Sequence, residues 1–226
     1  KFRKFMSQRH DFGSKFYNIN LRKMFVKELL SFFGRAFQKK TKVNKNYLNL
    51  GAGSEQTYLN DQFLNCDFFS LDYFNIFKKK KIFYLDLRHS LPFYDNSFDG
   101  VFSEHTIEHL YPSECITLMS EVKRVLKKNG VFRIVVPDLK KYVEYYNTKN
   151  FELFNKNFET GCEAIWNISQ NFDHKSLWDA EWLMHNLKKA GFLNCKEYSF
   201  NEGELKDLII DRDGRQIESI YIEAKK

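Results

Sequence analysis

What most constrains this chain is a series of short apolar runs, each ending on a turn-forming or acidic residue. Tyr47-Leu48-Asn49-Leu50 stops at Gly51, the run 62–66 at Asp67, the run 81–85 at Asp86, and the run 98–102 at Ser103. Val131-Phe132-Arg133-Ile134-Val135-Val136 is closed by Pro137. Runs bounded in this way read as buried strands. Between the fourth and fifth, Cys115, Leu118, Met119, Val122, Val125 and Leu126 recur at helical spacing. They predict a helix from about Ser113 to Lys128, stopped by Asn129-Gly130. Strands alternating with helices imply a mostly parallel α/β sheet with helices on both faces. In such sheets ligands sit outside the carboxyl ends of the strands. Gly51, Asp67 and Asp86 stand at three of those ends.

The chain has 226 residues, room for one domain with trimmings or at most two small ones. Residues 1–46 are expected to form a basic extension, and 47–226 the main domain, with a helical, aromatic acceptor insert at about 138–185. In the extension, Leu21, Met24, Phe25, Leu29, Phe32, Phe33, Ala36 and Phe37 fall at helical spacing, while Arg22, Lys23, Lys27, Arg35 and Lys39 fall elsewhere on the wheel. Such a helix over residues 21–37 either lies across the domain or rests on a membrane or a partner. No run of about 18 apolar residues predicts a membrane span. The first residue is Lys1, leaving room for an upstream piece, and no secretory signal follows it.

Cys66, Cys115, Cys162 and Cys195 form no C-x-x-C pair, so we expect reduced thiols and a cytoplasmic setting. A net charge of +7 permits an acidic partner without demanding one. With no appended zinc knuckle or RNA module, a nucleic-acid partner is not expected.

The loop Leu50-Gly51-Ala52-Gly53-Ser54-Glu55 lacks the third glycine of a dinucleotide fold, where Gln56 stands, and the Gly-Lys-Ser/Thr of a phosphate loop. Two glycines at a strand end still allow a ligand close to the backbone. Asp67 is placed to accept hydrogen bonds from a ribose diol, and Asp86 from an adenine amino group. Each acid alone could equally be a helix cap or a solvated turn residue.

Taken together, the segments LNLGAGSE, FLNCD, YLDLRHSLPFYDNSFDGVFSEHTIEHL, EVKRVLKKNGVFRIVVPDL and LKKAGF resemble class I S-adenosylmethionine-dependent methyltransferases. The nearest likeness is to type 11-like domains, of the kind found with surface-glycan biosynthesis. The resemblance covers roughly residues 47–226. It implies a Rossmann-like seven-stranded sheet whose last two strands, near residues 195–201 and 219–224, are antiparallel. It also implies S-adenosyl-L-methionine as cofactor, with Asn49, Gly51, Ala52, Gly53, Asp67, Asp86, Leu87, Ser103 and Glu104 around it. The departures are Asn49 where an acid is common, Glu55 where a glycine is common, and Lys128-Asn129-Gly130 in place of K-P-G-G.

His105, Glu108 and His109 follow the fourth strand end. His105 and His109, four apart, would share one face of a helical turn. Three readings stand open. His105 could be a general base, its neutral imidazole taking a hydroxyl proton near pH 7. The group could hold a divalent metal, as an E-x-x-E-H arrangement does in some methyltransferases, with a fourth ligand from His174 or His185. Or Glu108 and His109 brace a helix behind the pocket while His105 lines it. His105 and His174 are assigned as candidate catalytic residues, and no metal is assigned. Tyr142, Tyr145, Tyr146, Phe151, Phe154, Phe158, Trp166, Phe172 and Trp178 either pack among themselves or wall an acceptor.

The resemblance implies O-methylation of a sugar, nucleotide-sugar or other small hydroxylated metabolite. The alternatives are a lipid or quinone head-group methyltransferase at a membrane surface, touching it through residues 21–37, and a non-catalytic cofactor-binding module.

Overall fold

In the computed structural model, the described residues are 21–36, 38–53, 57–68, 82–150, 154 and 158–226. They fall into two compact units parting between Gln38 and Lys39. The first contributes one described helix, α1 (Leu21–Ala36), bearing exposed Leu29, Phe32 and Phe33. Phe37, expected to extend that helix, lies outside the described residues.

The second unit is built on β1 (Tyr47–Leu50), β2 (Phe63–Asp67), β3 (Phe83–Tyr84), β4 (Phe98–Glu104), β5 (Leu126–Pro137), β6 (Asn194–Tyr198) and β7 (Ser219–Lys225). They form one sheet in the order β3-β2-β1-β4-β5-β7-β6. All neighbours are parallel except β7, which runs antiparallel to both β5 and β6. This is the Rossmann-like arrangement that the strand ends and the resemblance imply. Among the described residues four helices accompany it: α2 (Pro112–Val125), α3 (Leu139–Thr148), α4 (Gly161–Gln170) and α5 (Ala180–Lys189).

Alternation along the central strands sorts the core into layers. Phe132, Ile134 and Val136 of β5 share one cluster with Leu118, Met119 and Val122 of α2 and with Leu183 and Leu187 of α5. Val131 and Val135 point the other way, to Tyr47, Phe63, Phe102 and Tyr221. That second face is covered by Leu205, Leu208 and Ile210 from the connection between β6 and β7. Fully burying one such side chain contributes roughly 1.5–3 kcal/mol. Only residues 51–62 join β1 to β2, near the shortest span that can link parallel strands.

Two expected boundaries move. The run 81–85 contributes only Phe83 and Tyr84 to the sheet, paired with Cys66 and Asp67; Lys81 is outside the described residues. Helix α2 ends at Val125, not Lys128, because Leu126 already pairs with Phe98 and the Lys127 ammonium meets Asp99 at 2.8 Å. Gly130 therefore lies inside β5 rather than closing a helix. Tertiary pairing overrides the local stop signal there.

The insert packs on itself. Tyr142, Tyr145, Phe154 and Phe158 are buried together with Ala164 and Ile168 from α4. Trp178 joins the main core, while Tyr146 stays exposed. Phe151 lies outside the described residues, and Phe172 is two-thirds exposed.

Candidate functional site

Strands β1, β2 and β4 place their carboxyl ends side by side: Leu50 is in register with Cys66 on one side and Ser103 on the other. Gly51 turns the chain with φ +87, and a Cβ there would lie 1.9 Å from Thr106 Oγ1. The Thr106 hydroxyl is itself held by the Leu50 and Glu104 carbonyls, at 3.1 and 3.0 Å. The Gly51 and Ala52 N–H groups both donate to the Cys66 carbonyl, at 3.0 and 2.9 Å. Those two amides, which a ligand carboxylate could have used, are thus spent on stitching the loop to β2. Gly53 faces the Asp67 carboxylate, where a Cβ would stand 2.6 Å from Oδ2.

Asp67 accepts the Phe68 N–H at 2.6 Å and also bonds the Gly53 backbone. Burial raises its pKa to about 6, against the pull of those two donors. Asp86 is buried and clamped by Arg88, whose Nε and Nη2 donate at 3.0 and 2.9 Å. The Arg88 guanidinium sits 5.7 Å from the centre of the Phe68 ring. Leu87, next to Asp86 in the chain, packs against the main core. The Leu85 N–H donates to the Asp67 carbonyl at 2.9 Å, tying the two acids' segments together.

Asn49 is buried within β1. Its Nδ2 donates to the Thr57 carbonyl and to Asn65 Oδ1, both at 2.8 Å, and Asn65 in turn holds both backbone groups of Leu59. Asn49 therefore organises the glycine loop, while still lining a small cleft of about 40 Å³ with Gly51, Phe102, Glu104, Ile210 and Arg212. Glu104 ion-pairs with Arg212 through one oxygen. Its other oxygen, and the Ser103 hydroxyl, are buried without a hydrogen-bond partner. Burial pushes the Glu104 carboxyl upward and Arg212 pulls it back.

These features fit an amino-acid-bearing nucleoside. Two glycines leave volume that a Cβ would fill, two acids stand on neighbouring strand ends, and an orphaned carboxylate oxygen lies beside the cleft to receive an ammonium. Sequence reasoning missed Ile210 and Arg212, which come from the β6–β7 connection without any motif, and the Phe68 ring.

Past β4 the chain turns through His105, held at φ +47. Its Nε2 lies 2.8 Å from Ser219 Oγ and its Nδ1 3.5 Å from Glu108 Oε1. Burial, with Arg215 and Arg212 nearby, drives its pKa well below the usual histidine value, so the ring is neutral. Glu108 and His109 sit in the 3-10 turn Ile107–His109. His105 and His109 do not share a face: the left-handed turn sends His105 to Ser219, while His109 stacks edge-on to His174 with ring centres 5.1 Å apart. Burial lowers the His109 pKa to about 4 and lowers that of His174, and it raises that of Glu108 to about 8. His185 stacks on Trp182 instead. All four cysteines are free. Among the described residues no helix is long and apolar enough to cross a membrane.

Residues 48–134 match a family model described as a methyltransferase domain. No curated protein matches the chain. Among solved structures, the chain is similar to an S-adenosylmethionine-dependent methyltransferase from Archaeoglobus fulgidus, with 19% identity over 90% of this chain and 94% of that one, at a TM-score of 0.51. It is likewise similar to a Thermotoga maritima methyltransferase described as a possible histamine N-methyltransferase, with 17% identity over 92% and 94%, also at 0.51. At such identities the likeness establishes the fold.

Proposed function

We propose that this chain is an S-adenosylmethionine-dependent methyltransferase, with S-adenosylmethionine as its cofactor, and that it methylates a hydroxyl of a saccharide, nucleotide-sugar or similar small metabolite. The supporting observation is His105: a buried, neutral imidazole directly after Glu104, which itself lines the cleft. A neutral imidazole is the form that accepts a hydroxyl proton, and such a base contributes about 10²–10⁴-fold.

The cofactor supplies a methyl group already activated on a sulfonium. In this reading Asp67 accepts from the ribose hydroxyls and Asp86 from the adenine amino group. Phe68 offers an apolar face beside Asp86, and the free oxygen of Glu104 takes the ammonium of the methionine end, with Ser103 beneath it. Gly51 and Gly53 keep the backbone low enough for that approach. His105 would take the acceptor proton as the methyl–oxygen bond forms and the methyl–sulfur bond breaks, leaving a neutral thioether. The acceptor has to be held in line at about 3–3.5 Å, so most of the protein's work is positioning.

The test is a screen of glycan and nucleotide-sugar extracts with methyl-labelled cofactor. The expected outcome is label in a sugar ether, with His105→Asn lowering kcat by about 10²–10⁴-fold while cofactor affinity is retained. Label on nitrogen, or an unchanged kcat in His105→Asn, overturns the reading.

A second reading, a lipid or quinone head-group acceptor, is favoured by the exposed Leu29, Phe32 and Phe33 on the basic helix α1. Liposome flotation with and without residues 1–40 separates the two: binding that depends on that segment supports the membrane-surface acceptor.

A further inference from the structure

A group of acceptors without donors lies just beyond the end of β4. Glu108, His109 and His174 each offer one ligand atom, and all three atoms lie within 4.8 Å of one another. The two segments that carry them are fastened together: the Lys175 and Ser176 N–H groups donate to the Glu108 carbonyl at 2.8 and 3.1 Å. Both imidazoles are already oriented. His174 Nδ1 meets the Ile168 carbonyl at 2.7 Å, and the His109 ring bonds the Asp173 backbone. A ring nitrogen that donates to a main-chain carbonyl carries the proton, so the other nitrogen presents a bare lone pair. Glu108 is 2% exposed, and neither carboxylate oxygen has a hydrogen-bond partner. His105 Nδ1 lies 3.5 Å from Oε1 without making a hydrogen bond to it. Polar atoms buried without partners in this way are costly unless a ligand meets them.

We propose that Glu108, His109 and His174 bind a divalent transition cation of the zinc or cobalt class, with a coordination position left open. Two imidazoles and one carboxylate suit such ions better than magnesium or calcium, which favour all-oxygen sets. Two histidines, a glutamate and one open position make up a known type of catalytic zinc site. His105 is not a ligand here, its Nε2 being engaged with Ser219. The cation site does not rest on the methyl-transfer reading.

The experiment is a cobalt(II) titration of the full chain after dialysis against chelator, read by visible d–d absorption and by metal content, with S-adenosylhomocysteine binding measured on every sample. Expected is a saturable band at one ion per chain, weakened at least tenfold in His109→Ala, His174→Ala and the near-isosteric Glu108→Gln, while S-adenosylhomocysteine binding persists in each. Absence of a saturable band in wild-type protein that still binds S-adenosylhomocysteine overturns the cation site and leaves the methyl-transfer reading standing. A band unchanged in the three variants overturns it equally. A normal band in protein that does not bind S-adenosylhomocysteine upholds the cation site and removes the methyl-transfer reading.

Discussion

Arg212 reaches across 108 positions of sequence to ion-pair with Glu104, bringing the β6–β7 connection over the mouth of β4. One oxygen of Glu104 is thereby committed and the other is left for a ligand. Glu104→Gln keeps the shape and removes the charge. A hydrogen bond to a charged group is worth about 1.5–3 kcal/mol, so S-adenosylhomocysteine affinity should fall by about 10–100-fold. Calorimetric titration of the variant checks this.

The connection that delivers Arg212 is pinned from beneath by Arg133. This fully buried guanidinium bonds Asp211 at 2.9 Å, Glu223 at 2.8 Å and the Glu202 carbonyl at 3.0 Å. Arg133→Ala leaves two buried carboxylates without their counter-charge, each keeping one backbone N–H donor, and should destabilise the protein by about 3–5 kcal/mol. Chemical denaturation reads the loss. A loss below about 1 kcal/mol, the worth of an ordinary exposed ion pair, would show that the connection is held some other way.

Gly51→Ala tests the turn. Its φ of +87 is costly for any residue with a Cβ, and the added atom meets a Thr106 hydroxyl fixed by two carbonyls. Strain and overpacking together should cost about 2–4 kcal/mol. The paired variant Gly51→Ala/Thr106→Ser should lose part of that penalty only, because the removed methyl is not the closest atom.

Asp67 sets a pH dependence. Its pKa of about 6 lies above the ordinary carboxylate value because of burial, so the folded chain binds a proton there more tightly than the unfolded chain does. Its contribution to apo stability is therefore fully present below about pH 4 and is lost as pH rises through about 6. Ligand binding runs the other way. Ribose hydroxyls need the carboxylate, so S-adenosylhomocysteine affinity should be constant above about pH 7 and fall as pH drops through about 6. Titrations at several pH values, with Asp67→Asn as control, check both the direction and the midpoint.

The strand ends could be read from sequence because an apolar run followed by Gly51, Asp67 or Ser103 carries its own boundary. The end of α2 could not. Asn129-Gly130 looks like a helix stop, but the chain leaves the helix at Val125 to pair Leu126 with Phe98, a choice made by a strand 28 residues away in sequence. Distance hid part of the site in the same way. Nothing local marks Arg212 as a partner of Glu104, or links His174 rather than His185 to His109. The glycine loop was legible as a turn, but not its wiring. That Asn49 serves Thr57 and Asn65, and that Cys66 consumes the Gly51 and Ala52 amides, depends on a register only the folded sheet defines.

Isothermal titration of S-adenosylhomocysteine into wild-type protein and Asp67→Ala bears most directly on the account. Expected is saturable binding at one molecule per chain by the wild type, weakened at least tenfold in the variant while its circular dichroism is unchanged. Folded wild-type protein that takes up no ligand, or a variant that binds as tightly as the wild type, would contradict the claim that the carboxyl ends of β1, β2 and β4 form the cofactor site.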